Sequence, residues 1–330
     1  MKRANHLIPK IIDPDNLRLA SWKAAKGKRY SKQVLAWQAN LGVNLKILRE
    51  QIISGYVDVG HYHLFKIYDP KERLICAPSF GEQVLHHALM NVCHPYFERA
   101  LIDDSYASRK GKGTHAALKR AAVFSRSQAW YLKLDVRKFF ETMHHDVLKG
   151  QLCCLFKEEH LLKIFFDIID SYAYAPGRGV PIGNLTSQYF ANHFLSGLDH
   201  FIKEKLCIPA YVRYMDDMVL WHDDKDQLQA ARKAVEDYAS VELQCELKPP
   251  VLNGTAHGLA FLGYRIYPHH IRLTQQSKLR FLRKMDYVTR QYLSEHWHEQ
   301  GCQWHALPLL SFTGHADTRP VLRLGKQLLY

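Results

Sequence analysis

The sequence lacks the marks of several large protein classes. No stretch approaches the ~20 consecutive apolar residues needed to span a bilayer, and the opening Met1-Lys2-Arg3-Ala4-Asn5-His6 has no long apolar run that would direct export. The seven cysteines are odd in number, Cys153 and Cys154 are adjacent, and no Cys-x-x-Cys occurs. Neither a disulfide framework nor a zinc ribbon is therefore indicated. No repeat, low-complexity tract or Pro/Gly/Ser-rich linker divides the chain. Acidic residues are also in deficit, with 32 Asp+Glu against 45 Lys+Arg, a formal charge of +13. These absences lead us to expect a soluble protein of the reducing cytoplasm that meets no membrane. The charge favours a polyanionic partner, nucleic acid before an acidic lipid surface.

What is present is ample core material, 47% hydrophobic over 330 residues. Residues 15–55 read as helices, with Leu41, Leu45, Leu48 and Ile52 at helical spacing. His61 to Cys76 reads as a hairpin turning at Asp69-Pro70-Lys71-Glu72. A helix is expected from about Glu82 to Cys93, stopped near Pro95, and another from near His115. Trp130-Tyr131-Leu132-Lys133-Leu134-Asp135 is a strand ending on a carboxylate. Helical residues are expected around 155–169 and from Leu185 to about Glu204. Leu228, Ala231, Val235 and Tyr238 mark an amphipathic helix capped by Asp223 or Asp224. Short strands are expected near 243–247 and 259–267, then a basic helical tail with Leu279, Leu282 and Tyr292 available for packing. This mixture, without regular βα alternation, predicts an α+β fold with antiparallel sheet.

Within Tyr211-Val212-Arg213-Tyr214-Met215-Asp216-Asp217-Met218-Val219-Leu220-Trp221, two adjacent carboxylates interrupt a buried-looking strand. Two unpaired anions there would cost several kcal/mol, and divalent cations are the natural offset. Asp135, at the end of its own strand, supplies a third carboxylate if the two strands are neighbours. Phosphoryl transfer needs that arrangement, with two ions about 3.5–4 Å apart. Mg²⁺ is the expected ion because it prefers hard oxygen ligands and company with phosphates, with Mn²⁺ as a substitute.

The string Tyr214-Met215-Asp216-Asp217 resembles the catalytic turn of reverse transcriptases. Leu134-Asp135-Val136-Arg137-Lys138-Phe139-Phe140 resembles their first catalytic motif, and Gly179-Val180-Pro181-Ile182-Gly183-Asn184-Leu185-Thr186-Ser187-Gln188 the motif beneath template and incoming nucleotide. Phe261-Leu262-Gly263-Tyr264 is similar to the primer-grip turn, and Lys248 to the lysine of the preceding motif. Ser105 to His115 looks like the fingers signature of bacterial intron-type enzymes. The resemblance covers roughly residues 15–270 in the family's order. It implies a right-hand polymerase: fingers at 1–125 and 146–178, a ferredoxin-like antiparallel palm at 126–145 and 179–268, and a short helical thumb at 269–330. Ile182 and Gln188 replace the usual Gln and Pro, a pattern similar to reverse transcriptases of diversity-generating retroelements. Those enzymes copy a template RNA into cDNA while misincorporating mainly opposite adenine, and they work with a small basic pentameric accessory protein. A group II intron-type or phage-defence enzyme is the alternative, and a nucleic-acid-binding scaffold with a relic site is the non-enzymatic one.

By this resemblance Asp135, Asp216 and Asp217, with the Val136 carbonyl, are the catalytic and metal-binding set. Phe140 is the steric gate against ribonucleotides. Ile182, Gly183, Gln188 and Lys248 line the nucleotide site, where an alkyl group at 182 offers packing but no hydrogen bond. Arg73 is the preferred triphosphate clamp, with Lys66, Lys71 and Arg109 as further candidates. Lys278, Arg280, Arg283 and Lys284 would follow the nucleic-acid backbone. Lys2, Arg3, Lys26, Lys28 and Arg29 add basic surface for RNA or a protein partner. One departure stands out: Glu82-Gln83 occupies the place where the family usually shows Asp-Arg, which removes that arginine's contact. The irregular spacing of His296, His298, Cys302 and His305 speaks against zinc.

Overall fold

The computed structural model describes residues 3–68 and 72–317. Lys2, Lys71 and the end of the expected thumb lie outside them. The chain divides into two compact units, one of residues 1–103, 135–206 and 233–248, the other of 104–134, 207–232 and 249–330.

The first unit is largely helical. Helices α1 (Ile8–Ile11), α2 (Pro14–Ala25), α3 (Lys32–Ala39) and α4 (Leu41–Ser54) precede an antiparallel hairpin of β1 (His63–Ile67) and β2 (Arg73–Ala77). In α2, Pro14 occupies the first turn and the Asp13 carboxylate accepts from the Asp15 and Asn16 amides. Helix α5 (Phe80–Ala100) runs through Pro95 instead of stopping there. A proline inside a helix costs ~3 kcal/mol. The turn beyond it buries Phe97 among Phe156, Phe165 and Phe190, and burying such a ring stabilises by roughly 1.5–3 kcal/mol.

Helices α7 (Phe139–Thr142), α8 (His145–Leu155), α9 (Glu159–Asp170), α10 (Leu185–Phe194) and α11 (Ser196–His200) complete this unit, the last running into a π-helical turn at Phe201–Lys205. Of the helical residues expected around 155–169, those at 156–158 instead form a break between α8 and α9. There the N-terminal segment inserts: Ala4 bridges Phe156, and the Glu158 carboxylate accepts from the Leu7 amide at 2.6 Å. Helix α9 buries Leu161, Leu162, Ile164, Phe165, Ile168 and Ile169 along one face.

The second unit is built on sheet. Strands β3 (Trp130–Asp135), β4 (Tyr211–Tyr214), β5 (Asp217–His222) and β6 (Val251–Gly254) hydrogen-bond in the order β4-β5-β3-β6. The β4–β5 and β3–β6 pairs are antiparallel. The strand expected at 243–247 is not a ladder strand, and Leu247 makes only an isolated bridge to Val136. Pro249 and Pro250 have no N–H to donate, so pairing with β3 begins only at Val251. The strand expected at 259–267 is a hairpin, β7 (Leu259–Phe261) and β8 (Tyr264–Ile266), joined by β9 (Ile271–Leu273) in a three-stranded antiparallel sheet. Helix α6 (Thr114–Ser127) packs Ala117, Leu118 and Ala121 into one core with Tyr131, Val212, Val219, Trp221, Phe261 and Tyr264.

Helix α12 (Lys225–Val241) passes from this unit to the other, with Leu228, Ala231, Val235 and Ala239 buried. Asp224 caps it by accepting from the Asp226 amide, while Asp223 accepts from Ala129 N–H. Helices α13 (Gln275–Leu293) and α14 (Glu299–Thr313) share a small core of Phe281, Met285, Val288, Cys302 and Ala306. The residues expected to pack there, Leu279, Leu282 and Tyr292, are exposed instead. The buried stripe runs 281, 285, 288, the i, i+4, i+7 face, and leaves its neighbours outside. No helix among the described residues is long and apolar enough to cross a membrane.

Candidate active site

Tyr214 pairs with Asp217, so Met215 and Asp216 form a two-residue turn between β4 and β5. Met215 takes φ 56°, a left-handed conformation that costs a non-glycine residue roughly 1–2 kcal/mol. The strand beneath supplies the offset. Arg213 is completely buried, and its Nη1 donates to the Met215 carbonyl at 3.0 Å. Its backbone N–H donates to Asp104 O and its carbonyl accepts from Tyr106 N–H, so residues 104–106 flank β4. Arg213 was not singled out from the sequence as functional. The signal was there, an arginine between Val212 and Tyr214 in a strand with no room for a solvated charge.

Strand β3 adjoins β5 in the same sheet. Lys133 Nζ lies 3.1 Å from Asp217 Oδ1 and donates to Ala260 O at 2.9 Å. Side chains alternate along a strand, so Asp135 leaves β3 on the same face as Lys133. Within the first unit, whose second segment begins at Asp135, the carboxylate meets Lys248, which sequence reasoning also selected. Lys248 Nζ is 2.6 Å from Asp135 Oδ1, and the Lys248 N–H donates to the Asp135 carbonyl at 2.8 Å. That contact is an ion pair without hydrogen-bond alignment, because Oδ1 is buried and has no directed donor. Val136 is fully buried beside Leu247. Among the described residues no group of three or more His, Cys, Asp or Glu forms a ready cation cage. Both lysines instead neutralise single carboxylates.

Elsewhere in the first unit, Phe139 is buried and Phe140 half-buried, so Phe140 is the ring of the pair that reaches outward. The Phe140 carbonyl accepts from Val180 N–H at 2.8 Å, which fastens the glycine-rich loop to α7. Ile182 O accepts from Cys76 N–H at 2.8 Å, so this loop docks on β2. Gly183 takes φ +117°, and a Cβ there would meet Ile75 Cγ2 at 3.1 Å. Gln188 is exposed on α10. Arg73 and Lys66 are not brought together. Arg73 pairs across from Ile67, and Lys66 sits one residue away on the opposite face of the hairpin. Lys66 is 2.6 Å from Glu72. Arg109, in the other unit, donates to Ser105 O at 2.6 Å.

The expected primer-grip residues form the β7–β8 turn. Leu262 and Gly263 both have positive φ, as a two-residue hairpin connection of the primed type requires. A Cβ at Gly263 would stand 2.9 Å from Ser277 Oγ, which holds α13 close to the turn. Phe261 and Tyr264 are buried, and the Tyr264 hydroxyl donates to Phe312 O at 2.6 Å. On α13, Lys278, Arg283 and Lys284 are exposed and Arg280 half-buried, opposite the Phe281–Met285–Val288 stripe.

Comparison with known proteins follows the same motifs. The family described as "Reverse transcriptase (RNA-dependent DNA polymerase)" matches residues 68–266. "Protein YkfC" of Escherichia coli (strain K12) is 22% identical, over 69% of this chain and 72% of that one. "Group II intron-encoded protein LtrA" of Lactococcus lactis subsp. cremoris is 22% identical over 44% of this chain, and the match spans a quarter (25%) of its own length. Among solved structures, the apo telomerase of Candida tropicalis superposes with a TM-score of 0.52 at 13% identity. That match covers 70% of this chain and about half (53%) of the telomerase chain. With the antiparallel sheets described above, it fixes the fold class as that of right-hand polymerases.

Proposed function

This chain belongs to the reverse transcriptase family, and from that premise we propose that it copies a template RNA into DNA from deoxynucleoside triphosphates. The observation that carries the reading is the Met215-Asp216 turn, braced by buried Arg213, with Lys133 of the strand ending at Asp135 paired to Asp217. In this reading residues 1–125 and 146–178 serve as fingers, 126–145 and 179–268 as palm, and 269–330 as thumb.

Asp135, Asp216 and Asp217, with the Val136 carbonyl, would hold two Mg²⁺ ions. The donors are hard oxygens, the ligand type Mg²⁺ prefers, and Asp135 Oδ1 already draws a positive charge, Lys248 Nζ at 2.6 Å. When bound, such ions supply Lewis acidity for the primer 3′-hydroxyl and neutralise triphosphate charge. The protein's own groups do the rest. Lys133 and Lys248 hold the Asp217 and Asp135 carboxylates in place. Phe140 fills the space beneath the sugar, where a 2′-hydroxyl would clash. Arg73 binds phosphate oxygens as the preferred clamp, with Lys66 and Arg109 as further candidates, and Gly183, Gln188 and Lys248 border the nucleotide. The Phe261–Tyr264 turn seats the primer, and Lys278, Arg280, Arg283 and Lys284 follow the duplex backbone.

The test is primer extension on an RNA template with Mg²⁺. Asp216→Asn is expected to slow it by at least ~10²–10³-fold, the scale of losing a key electrostatic group, with unchanged melting. Extension at the wild-type rate would sink the reading.

Within the family, Ile182 and Gln188 support an error-prone enzyme of a diversity-generating retroelement, assisted by a small basic accessory protein. Ile182 brings no hydrogen-bonding group to the nucleotide. Ile182→Gln should lower misincorporation opposite template adenine, and Phe140→Ala should raise ribonucleotide incorporation. An unchanged error spectrum rejects the role of Ile182. The similarity to the group II intron-encoded LtrA favours a second reading, an intron-type enzyme. Wild-type errors spread evenly over the four template bases would favour that one.

A further inference from the structure

The segment from Gly179 to Ile182 is suspended between two parts of the first unit. On one side it runs along α7 and the start of α8. The His145 N–H donates to Gly177 O at 2.9 Å, the Gly179 N–H to Met143 O at 2.8 Å and the Val180 N–H to Phe140 O at 2.8 Å. On the other side the Cys76 N–H of β2 donates to Ile182 O at 2.8 Å. These are main-chain bonds, which almost any sequence can make. One side chain adds to them. His145 is the first residue of α8 and is buried, with its Nε2 2.6 Å from Gly179 O. A carbonyl only accepts, so Nε2 carries a proton and donates.

The ring is oriented in turn. Its Nδ1 lies 3.3 Å from Asp170 Oδ1 at the end of α9, and Lys149 Nζ is 2.7 Å from the same oxygen. Residues 145 and 149 share a face of α8, so both reach one carboxylate. The imidazole thus spans a carboxylate and a carbonyl, and the two contacts together fix which way it faces. Gly179 is itself buried, so its carbonyl has little water to replace this donor. What the contact controls follows from its neighbours. Val180 is bonded to Phe140, the ring assigned to the space beneath the sugar, and Ile182 lies just beyond. A shift of the chain at Gly179 therefore moves the backbone that joins those two side chains, and small misplacements of positioning groups are felt strongly in turnover.

We propose that His145 is a positioning residue for sugar selection: by holding Gly179 O it fixes the segment through which Phe140 and Ile182 are set against the incoming nucleotide. It touches neither substrate nor metal in this role and acts through Val180. The inference rests on the reading of Phe140 as the sugar gate. Two measurements, one of them without synthesis, keep the failure of either apart.

Hydrogen exchange at the Val180 amide of the full chain, without primer or nucleotide, follows the clamp itself. His145→Leu should speed it about fivefold to tenfold, the scale of one lost buried hydrogen bond. His145→Gln, whose amide N–H can reach the same carbonyl, should bring it back towards wild type. Asp170→Ala removes the orienting carboxylate at a half-exposed position and should move exchange the same way by about twofold. Single-nucleotide extension on an RNA template gives the consequence. His145→Leu should raise the KM for deoxynucleoside triphosphate and lower the preference for deoxyribose over ribose, each about fivefold, with kcat changed less. His145→Gln should restore both. A merely structural defect would lower the active fraction, and so kcat for both sugars alike, leaving KM and the preference unchanged. In a Phe140→Ala chain, His145→Leu should lower the preference no further, because it acts through that ring. Unchanged Val180 exchange in both His145→Leu and Asp170→Ala overturns the clamp. So does an unchanged preference in His145→Leu where Phe140→Ala lowers it, or no rescue by His145→Gln. A preference unmoved by Phe140→Ala rejects the gate instead. Absence of extension by the wild-type chain would reject the polymerase reading, and Val180 exchange would still decide whether His145 holds the segment.

Discussion

Among the described residues, two antiparallel hairpins carry charged residues near their ends, and they are built on opposite principles. In β4–β5, ten residues of strand are buried or half-buried, and a buried arginine braces the turn from below. In β1–β2, Leu64, Phe65 and Leu74 are 54%, 43% and 40% exposed, and most of the arms face solvent. A hairpin that must hold carboxylates in fixed positions gains from packing on both faces, because close-packed surroundings leave side chains few alternatives. A hairpin with few buried apolar contacts belongs to the low-stability end of a fold, where segments that adapt to ligands are found. The difference sets carboxylates on a packed hairpin and cations on a solvent-facing one.

The comparison can be broken most severely at Arg213. Arg213→Met removes a charged donor from the Met215 carbonyl, and a hydrogen bond to a charged group contributes about 1.5–3 kcal/mol. Urea denaturation should show a loss of that order, with primer extension impaired even under conditions where the variant is folded. Gly183→Ala comes next. Its φ of +117° and the 3.1 Å approach to Ile75 predict a cost of about 1–2 kcal/mol. The change should act through the loop that tethers Ile182 to β2, raising the KM for nucleotide more than it lowers stability of the β4–β5 unit.

A smaller effect is expected with pH at the root of the exposed hairpin. Glu82 accepts from Gly60 N–H in the segment leading to β1, and burial pushes its carboxyl up to about 7 from 4.5. A raised carboxyl contributes stability below pH 4.5 that is lost as pH rises through about 7. Burial lowers His86 from 6.5 to about 3, so its contribution is complete above pH 6.5 and is lost as pH falls towards 3. The two oppose each other between pH 4.5 and 6.5. Glu82→Gln removes the falling component, so the rise of stability with pH should be steeper across that window in urea titrations at stepped pH. An identical slope would show that Glu82 does not change its proton on unfolding. The smallest effect is expected at Lys66, whose partner Glu72 is half-exposed. Lys66→Ala should shift stability by less than ~0.5 kcal/mol, against the large loss at Arg213.

Much of this contrast was legible in the sequence because it is local. Apolar periodicity located the early helices, the 63–77 hairpin and the strand ending at Asp135, and the doubled aspartate marked the turn. The misreadings have non-local causes. Pro95 would stop a helix judged from its own neighbours, but Phe97 is held by rings from α9, from α10 and from the break between α8 and α9. The break at 156–158 depends on Ala4 and Leu7, some 150 residues away in the chain. Leu279 and Leu282 are as apolar as Phe281 and Met285, and only the position of α14 determines which face of α13 is covered.

The sequence by itself determined the carboxylate turn, the antiparallel α+β character, the basic surface and the family, because these follow from residue type and spacing along the chain. Tertiary structure alone decided that Arg213 braces the turn, that Arg73 and Lys66 point apart, and that Lys28 reaches Gln83. Each of these depends on segments remote in sequence coming within hydrogen-bonding distance, or on which face of a strand a residue takes. No window of the chain holds that information, because the partners are chosen by packing.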